Sequence, residues 1–201
     1  MTHTPRHPFA CIILGAGAGT RFGEPKACAQ LPNGDTFLAT VVRLAFDSGA
    51  DPIIAVTPPG ITAPAPAIVV ENPHGRGEQI ASVRLALTRL ASTRAEGVLL
   101  WPVDHPVVLV ESVLAVVDEF QRTRAPVVVP VYNGRRGHPG FFARESWQDL
   151  MTIETGGARE VIARFASRLR EVPVDDAGIL RDIDTKADIP HDGWRTTDAL
   201  S

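Results

Sequence analysis

Apolar residues along the chain gather into two alternating kinds of segment. Short unbroken runs occur at FACIIL (9–14), IIAV (53–56), IVV (68–70), VLLWPV (98–103), PVVVPV (126–131) and, more weakly, EVPV (171–174). Runs of this length, closed by Gly, Pro, Asn or Asp, predict strands buried on both faces of a sheet. Between them, apolar residues recur every three or four positions. Phe37, Leu38, Val41, Leu44 and Ala45, with Ser48, form one such stripe; Ile80, Val83, Leu87 and Leu90 form a second. Val113, Leu114, Val117 and Phe120 form a third, and Val161, Ile162 and Phe165 a fourth. That period predicts amphipathic helices, the first started by Asp35 or Thr36 and stopped at Gly49. Trp147 and Leu150 suit a further short helix. TPPGITAPAPA (57–67) holds too many prolines for a helix and reads as a surface loop. Strand and helix alternating throughout predict an α/β protein, a three-layer α/β/α sandwich on a mostly parallel sheet.

No repeat or linker divides the 201 residues, which suit one domain with a substantial core. We expect a flexible N-terminus at 1–8, the domain at 9–189 and a polar C-terminal tail at 190–201. The net charge of −3 exerts no general pull towards nucleic acid or an anionic membrane, so any recognition of phosphate must be local. Cys11 and Cys28 have no metal-ligand spacing, and Cys11 falls inside a predicted strand, which suits a reduced packing role. The start, MTHTPRHPFA, lacks a signal-peptide apolar stretch, and no run reaches the ~18 apolar residues of a membrane span. A cytoplasmic location is the expectation.

The most informative stretch is IILGAGAGTRFGEPK (12–26), an apolar run broken by Gly15, Gly17 and Gly19 and followed by Arg21 and Lys26. Glycines permit positive φ and bring backbone N–H groups close to an anion, and cations nearby neutralise phosphate charge. Spacing excludes the two commonest phosphate loops. G-x-x-x-x-G-K-S/T needs a Gly-Lys pair that is absent, and Ala27 follows Lys26. G-x-G-x-x-G fails in both frames, with Thr20 or Phe22 at the last glycine. The acidic residue expected after the second strand is absent too, since Val56 runs into Thr57 and Pro58.

The pattern that fits is A-G-x-G-x-R-x-G-x-x-K, met by Ala16, Gly17, Gly19, Arg21, Gly23 and Lys26. It resembles the opening motif of the MobA-like NTP transferase family, which includes the molybdenum cofactor cytidylyltransferases and guanylyltransferases. The resemblance implies a Rossmann-like nucleotidyltransferase fold and a loop around the NTP triphosphate. Leu14, Gly15, Ala16, Gly17, Gly19 and Thr20 would line it, with Arg21 and Lys26 on the phosphates.

Five further segments carry the resemblance. Asn72-Pro73 and the helix bearing Ser82 resemble the part lying beside the nucleotide base. Asp104-His105-Pro106 follows a buried run, at the rim where open α/β sheets bind ligands, although a lone Asp there also reads as a helix cap. It resembles the family's D-x-P, which implies that Asp104 binds catalytic Mg²⁺. Arg135 and Arg136 precede Gly137-His138-Pro139. The arginines read equally as a charged hairpin tip or as forks for an acceptor phosphate. The resemblance assigns Gly137 and His138 to the acceptor side, with Arg159 of Gly157-Ala158-Arg159. Thr155 stands where relatives often carry Asp. Finally, Asp182-Ile183-Asp184-Thr185 resembles a closing D-I-D-T, with Lys186-Ala187 replacing Pro-Glu. Strand-like alternation would turn Asp182 and Asp184 to one side, as a second metal contact beside Asp104.

The implied reaction is transfer of an NMP, CMP from CTP by the tilt of the later motifs, onto a phosphorylated acceptor such as molybdopterin cofactor. Pyrophosphate would leave and Mg²⁺, or Mn²⁺, would assist, with Arg21, Lys26 and Asp104 as the catalytic set. Contact with a molybdoenzyme or cofactor chaperone would follow from that role. The competing expectations are a guanylyl- or other nucleotidyltransferase with a different small acceptor, and a nucleotide-binding relative without catalysis.

Overall fold

The computed structural model describes residues 7–17, 22–73 and 79–189. The predicted apolar runs form the strands β1 (Ala10–Leu14), β2 (Ile53–Thr57), β3 (Ile68–Glu71), β4 (Gly97–Pro102) and β5 (Val127–Tyr132). Two more follow, β6 (Arg135–Arg136) and β7 (Gly140–Ala143), before β8 (Arg170–Pro173). The helices are α1 (Phe37–Asp47), α2 (Gln79–Leu90), α3 (Val110–Thr123), α4 (Trp147–Thr152) and α5 (Gly157–Arg164). Among the described residues the eight strands join one sheet in the order β3-β2-β1-β4-β7-β5-β6, with β8 beside β5. The chain runs from β1 outward through β2 and β3, then returns to place β4 on the other side of β1. That reversal of strand order opens a crevice at the carboxyl ends of β1 and β4, the usual ligand position in such sheets.

The alternation of side chains distributes the core between two layers. Cys11 and Ile13 of β1 pack with α1 and α3; Ala10, Ile12 and Leu14 pack with α2, α4 and α5. Cys11 is fully buried, and burial pushes its thiol pKa upward, which leaves it a packing residue. Thr36 is the cap of α1, its Oγ1 accepting from Ala39 N at 3.0 Å, and Gly49 has a φ of 87°. In α3, Val116 takes the core position expected for Leu114, which is partly buried. Ile162 and Phe165 of α5 are likewise only partly covered.

The sheet is mostly parallel, as the pattern predicts, with antiparallel pairing where β7 and β6 enter it. GFFA (140–143) returns as β7, antiparallel to both β4 and β5. Gly97 admits it: a Cβ there would lie 2.2 Å from the Phe141 ring, which itself stacks on Phe120 at 4.2 Å. His7 and Pro8, expected with the flexible N-terminus, are held by Gln121 and by Glu96 N. The tail 190–201 lies outside the described residues. Among the described residues no helix is long and apolar enough to cross a membrane.

Candidate functional site

Two loops meet at the crevice. Gly15 N donates to Val56 O at 2.8 Å, and Val103 N to Leu14 O at 3.2 Å, so the exits of β1 and β4 are fixed by the strands beside them. Gly15 serves close approach rather than positive φ: a Cβ would sit a tight 3.2 Å from Val56 O. Neither Gly15 nor Gly17 has positive φ; among the described residues of this stretch that conformation falls at Gly23, at 84°. Gly19, Thr20 and Arg21 lie outside the described residues.

Lys26 opens a short turn of 3₁₀ helix, Lys26–Cys28. Its Nζ donates to Asp104 Oδ2 at 2.8 Å and also to Asp184 Oδ1. Burial alone would lower the Lys26 pKa, but the hydrogen bonds and charges of Asp104 and Asp184 outweigh it and raise it. Residues separated by 78 and 158 positions thus converge on one ammonium. Asp182 does not join them. Residues 181–184 form no strand, Ile183 between the two carboxylates is fully buried, and Ile183 N donates to Asp104 O at 2.8 Å. Asp182 is exposed and acts on His105 as a charge.

The segment carrying Asp184 is clasped to its neighbours. The Asp176 carboxylate accepts from Leu109 N, Ser112 Oγ and Gly178 N at 2.9, 2.8 and 2.7 Å. A Cβ on Gly178 would lie 2.3 Å from Val107 O, and one on Gly137 would lie 2.4 Å from Ile179 O. His138 N donates to Ile179 O at 2.8 Å. This clasp escaped the sequence reading, because nothing local marks Asp176 apart from Asp175.

On the α2 and α5 side of the sheet lies a cleft of about 810 Å³. Leu14, Leu100, Val129, Phe142 and Ile162 give it apolar walls, and Gln79, Arg136, His138 and Arg159 supply polar groups. Gly137 also lines it, whereas Arg135 does not. The His138 ring leans on His105, with centroids 4.7 Å apart, and so joins the cleft to the carboxylates. Burial, then the neighbouring His105, holds His138 down at about 4; burial also lowers His105 against the pull of Asp104 and Asp182. Both imidazoles are therefore neutral near pH 7. Asn72 and Ser82 are buried and bonded to each other at 3.0 Å, and α2 faces the cleft with Gln79, Ile80 and Val83 instead. Sequence reasoning missed Gln79 and the Lys26–Asp184 contact.

Comparison with known proteins decides what this arrangement belongs to. Residues 11–172 match the MobA-like NTP transferase domain. The chain is a member of the MobA-like NTP transferase family. A protein of Mycobacterium avium named probable molybdenum cofactor guanylyltransferase is 27% identical over 184 residues, covering 90% of this chain and 92% of that one. The crystal structure of Rv0371c from Mycobacterium tuberculosis H37Rv superposes with a TM-score of 0.77 at 24% identity, over 90% and 95% of the two chains. The same protein in complex with manganese gives 0.64 at 23% identity, over 84% and 88%. These structures share the fold of this MobA-like chain, a Rossmann-like α/β nucleotidyltransferase architecture.

The carboxylates also suit a divalent ion. Asp104 and Asp184 already converge on a single cation, and carboxylate oxygens are the ligands that Mg²⁺ and Mn²⁺ prefer. No group of three His, Cys, Asp or Glu among the described residues could hold an ion alone, so phosphate oxygens and water would complete its shell.

Proposed function

We propose that this protein transfers a nucleoside monophosphate from a nucleoside triphosphate to a small phosphorylated acceptor and releases pyrophosphate. The observation that carries the reading is the meeting of Lys26 with Asp104 and Asp184 just beyond the carboxyl ends of β1 and β4. An acceptor phosphate oxygen bonds to the α-phosphorus in line as the bond to the leaving oxygen breaks, and the electron pair departs with pyrophosphate. The nucleophile is already an anion, so neither His105 nor His138 has to take a proton. What the site must supply is position and charge neutralisation. Gly15, Ala16, Gly17, Gly19, Thr20 and Arg21 would enclose the triphosphate, and Lys26 would neutralise it. Asn72 and Ser82 would shape the side near the base, and Asp104 with Asp184 would hold Mg²⁺ or Mn²⁺. When bound, that ion offsets charge on the reacting phosphates. The cleft would take the acceptor, with Arg136 and Arg159 towards its phosphate and Gly137 and His138 along its wall.

The relatives bear on donor and acceptor. The expectation of CTP rested on motifs around Gly137, Gly157 and Asp182, whereas the curated relatives are named guanylyltransferases. We therefore favour GTP as donor and a molybdenum cofactor as acceptor. Two unbridged cysteines agree with a cytoplasmic setting.

The test is pyrophosphate release with each of the four NTPs, cofactor acceptor and Mg²⁺ or Mn²⁺. Turnover with GTP at least about tenfold above CTP in kcat/KM, the margin of one charged hydrogen bond, supports the reading. Preference for CTP restores the cytidylyl assignment, and no release with any NTP refutes transfer altogether. Lys26→Ala should lose on the order of 10²-fold in kcat; full activity would contradict the role given to its ammonium.

A further inference from the structure

The place between Asp104 and Asp184 is filled by the chain itself. Lys26 Nζ bonds both carboxylates, and its side chain is 15% exposed. All three partners are fixed through their backbones. Lys26 is set by the turn in which Cys28 N donates to Pro25 O and Ala29 N to Lys26 O. Asp104 is set by Ile183 N, and Asp184 follows directly on Ile183, which is fully buried. The ammonium is thus seated between the two oxygen donors that a divalent ion would use.

We propose that Lys26 is a built-in competitor of the divalent ion: ammonium and metal contest the same two carboxylates, and the metal binds well only when a triphosphate gives the ammonium somewhere else to go. The inference rests on reading the site as an NTP site. An ion arriving at the occupied pair would sit beside a fixed positive charge and share donors already hydrogen-bonded. Phosphate oxygens remove that conflict by accepting the ammonium. Metal and triphosphate then raise each other's affinity by the same factor, as linkage requires. Before nucleotide arrives, Lys26 keeps two close carboxylates from repelling one another and holds the segment carrying Asp184 against the loop of Asp104.

The experiment is a titration with Mn²⁺ alone, free ion read by electron paramagnetic resonance, on wild type, Lys26→Met, Lys26→Gln and Lys26→Met/Asp184→Asn. Both single variants should bind Mn²⁺ about ten- to a hundredfold more tightly than wild type, the equivalent of one charged hydrogen bond released. Adding Asp184→Asn should reverse the gain. Lys26→Gln, which keeps a hydrogen-bond donor, preserves the test if Lys26→Met does not fold. Unchanged or weaker Mn²⁺ binding in the Lys26 variants, with wild type still binding GTP in the presence of Mn²⁺ by calorimetry, overturns the competition and leaves the NTP site standing. No Mn²⁺ binding by any of the proteins, and no GTP binding by wild type with Mn²⁺ present, overturns both.

Discussion

Replacing Asp176 by Asn tests whether the clasp organises this end of the molecule. Asp176 is 5% exposed and its carboxylate accepts three hydrogen bonds, two of them from the N-cap and first turn of α3. That helix has no capping side chain of its own, because its N-cap is Leu109. A carboxylate from 67 residues away thus caps it and complements its positive end. Asparagine keeps the shape but turns one acceptor oxygen into a donor, so at least one N–H or O–H meets another donor. One charged hydrogen bond is lost and one buried donor is left unpaired, about 2–4 kcal/mol in all. For a chain of this length that lowers the melting temperature by roughly 5–15 °C. Urea denaturation at constant slope reads the loss directly. The exposed neighbour gives the control, with Asp175→Asn expected within about 0.5 kcal/mol of wild type. A double-mutant cycle with Ser112→Ala should show about 0.5–3 kcal/mol of coupling. A loss under about 1 kcal/mol, no larger than the Asp175 control, would refute the account, since a buried acceptor of three bonds cannot cost so little.

Arg136 lines the cleft and Arg135 does not, so Arg136→Ala should raise the acceptor KM about tenfold, with Arg135→Ala close to wild type. Equal effects in steady-state kinetics would move the acceptor out of the cleft. His138 is held at about 4 against an ordinary 6.5, so between those values the unfolded chain binds more protons and stability rises with pH. Its contribution is lost as pH falls through that window. His138→Gln should flatten the pH dependence of the urea midpoint there, and an unchanged slope would show that burial of this imidazole is not its cause.

Much of this could be read along the chain. The strand runs, the Thr36 cap, the stop at Gly49 and the apolar faces of α1 and α2 follow from interactions within a few residues, which period and spacing report directly. The spacing of the glycine motif is local too, and it pointed to the family that the chain belongs to. β7 was not, because a four-residue strand with Phe141 and Phe142 facing opposite layers carries no period of its own; Gly97, more than forty positions earlier in the sequence, makes room for it. The sequence left Asp182 and Asp184 equivalent, and the tertiary structure separated them by burying Ile183 and bonding its N–H to Asp104 O. Asp176 became visible only beside Leu109 and Ser112, and Lys26 only between two carboxylates far off in the chain. Local pattern determines which elements form, since helix and strand periods are short-range. Which charges meet depends on the order of strands in the sheet, which brings the ends of β1 and β4 and the closing segment to one rim.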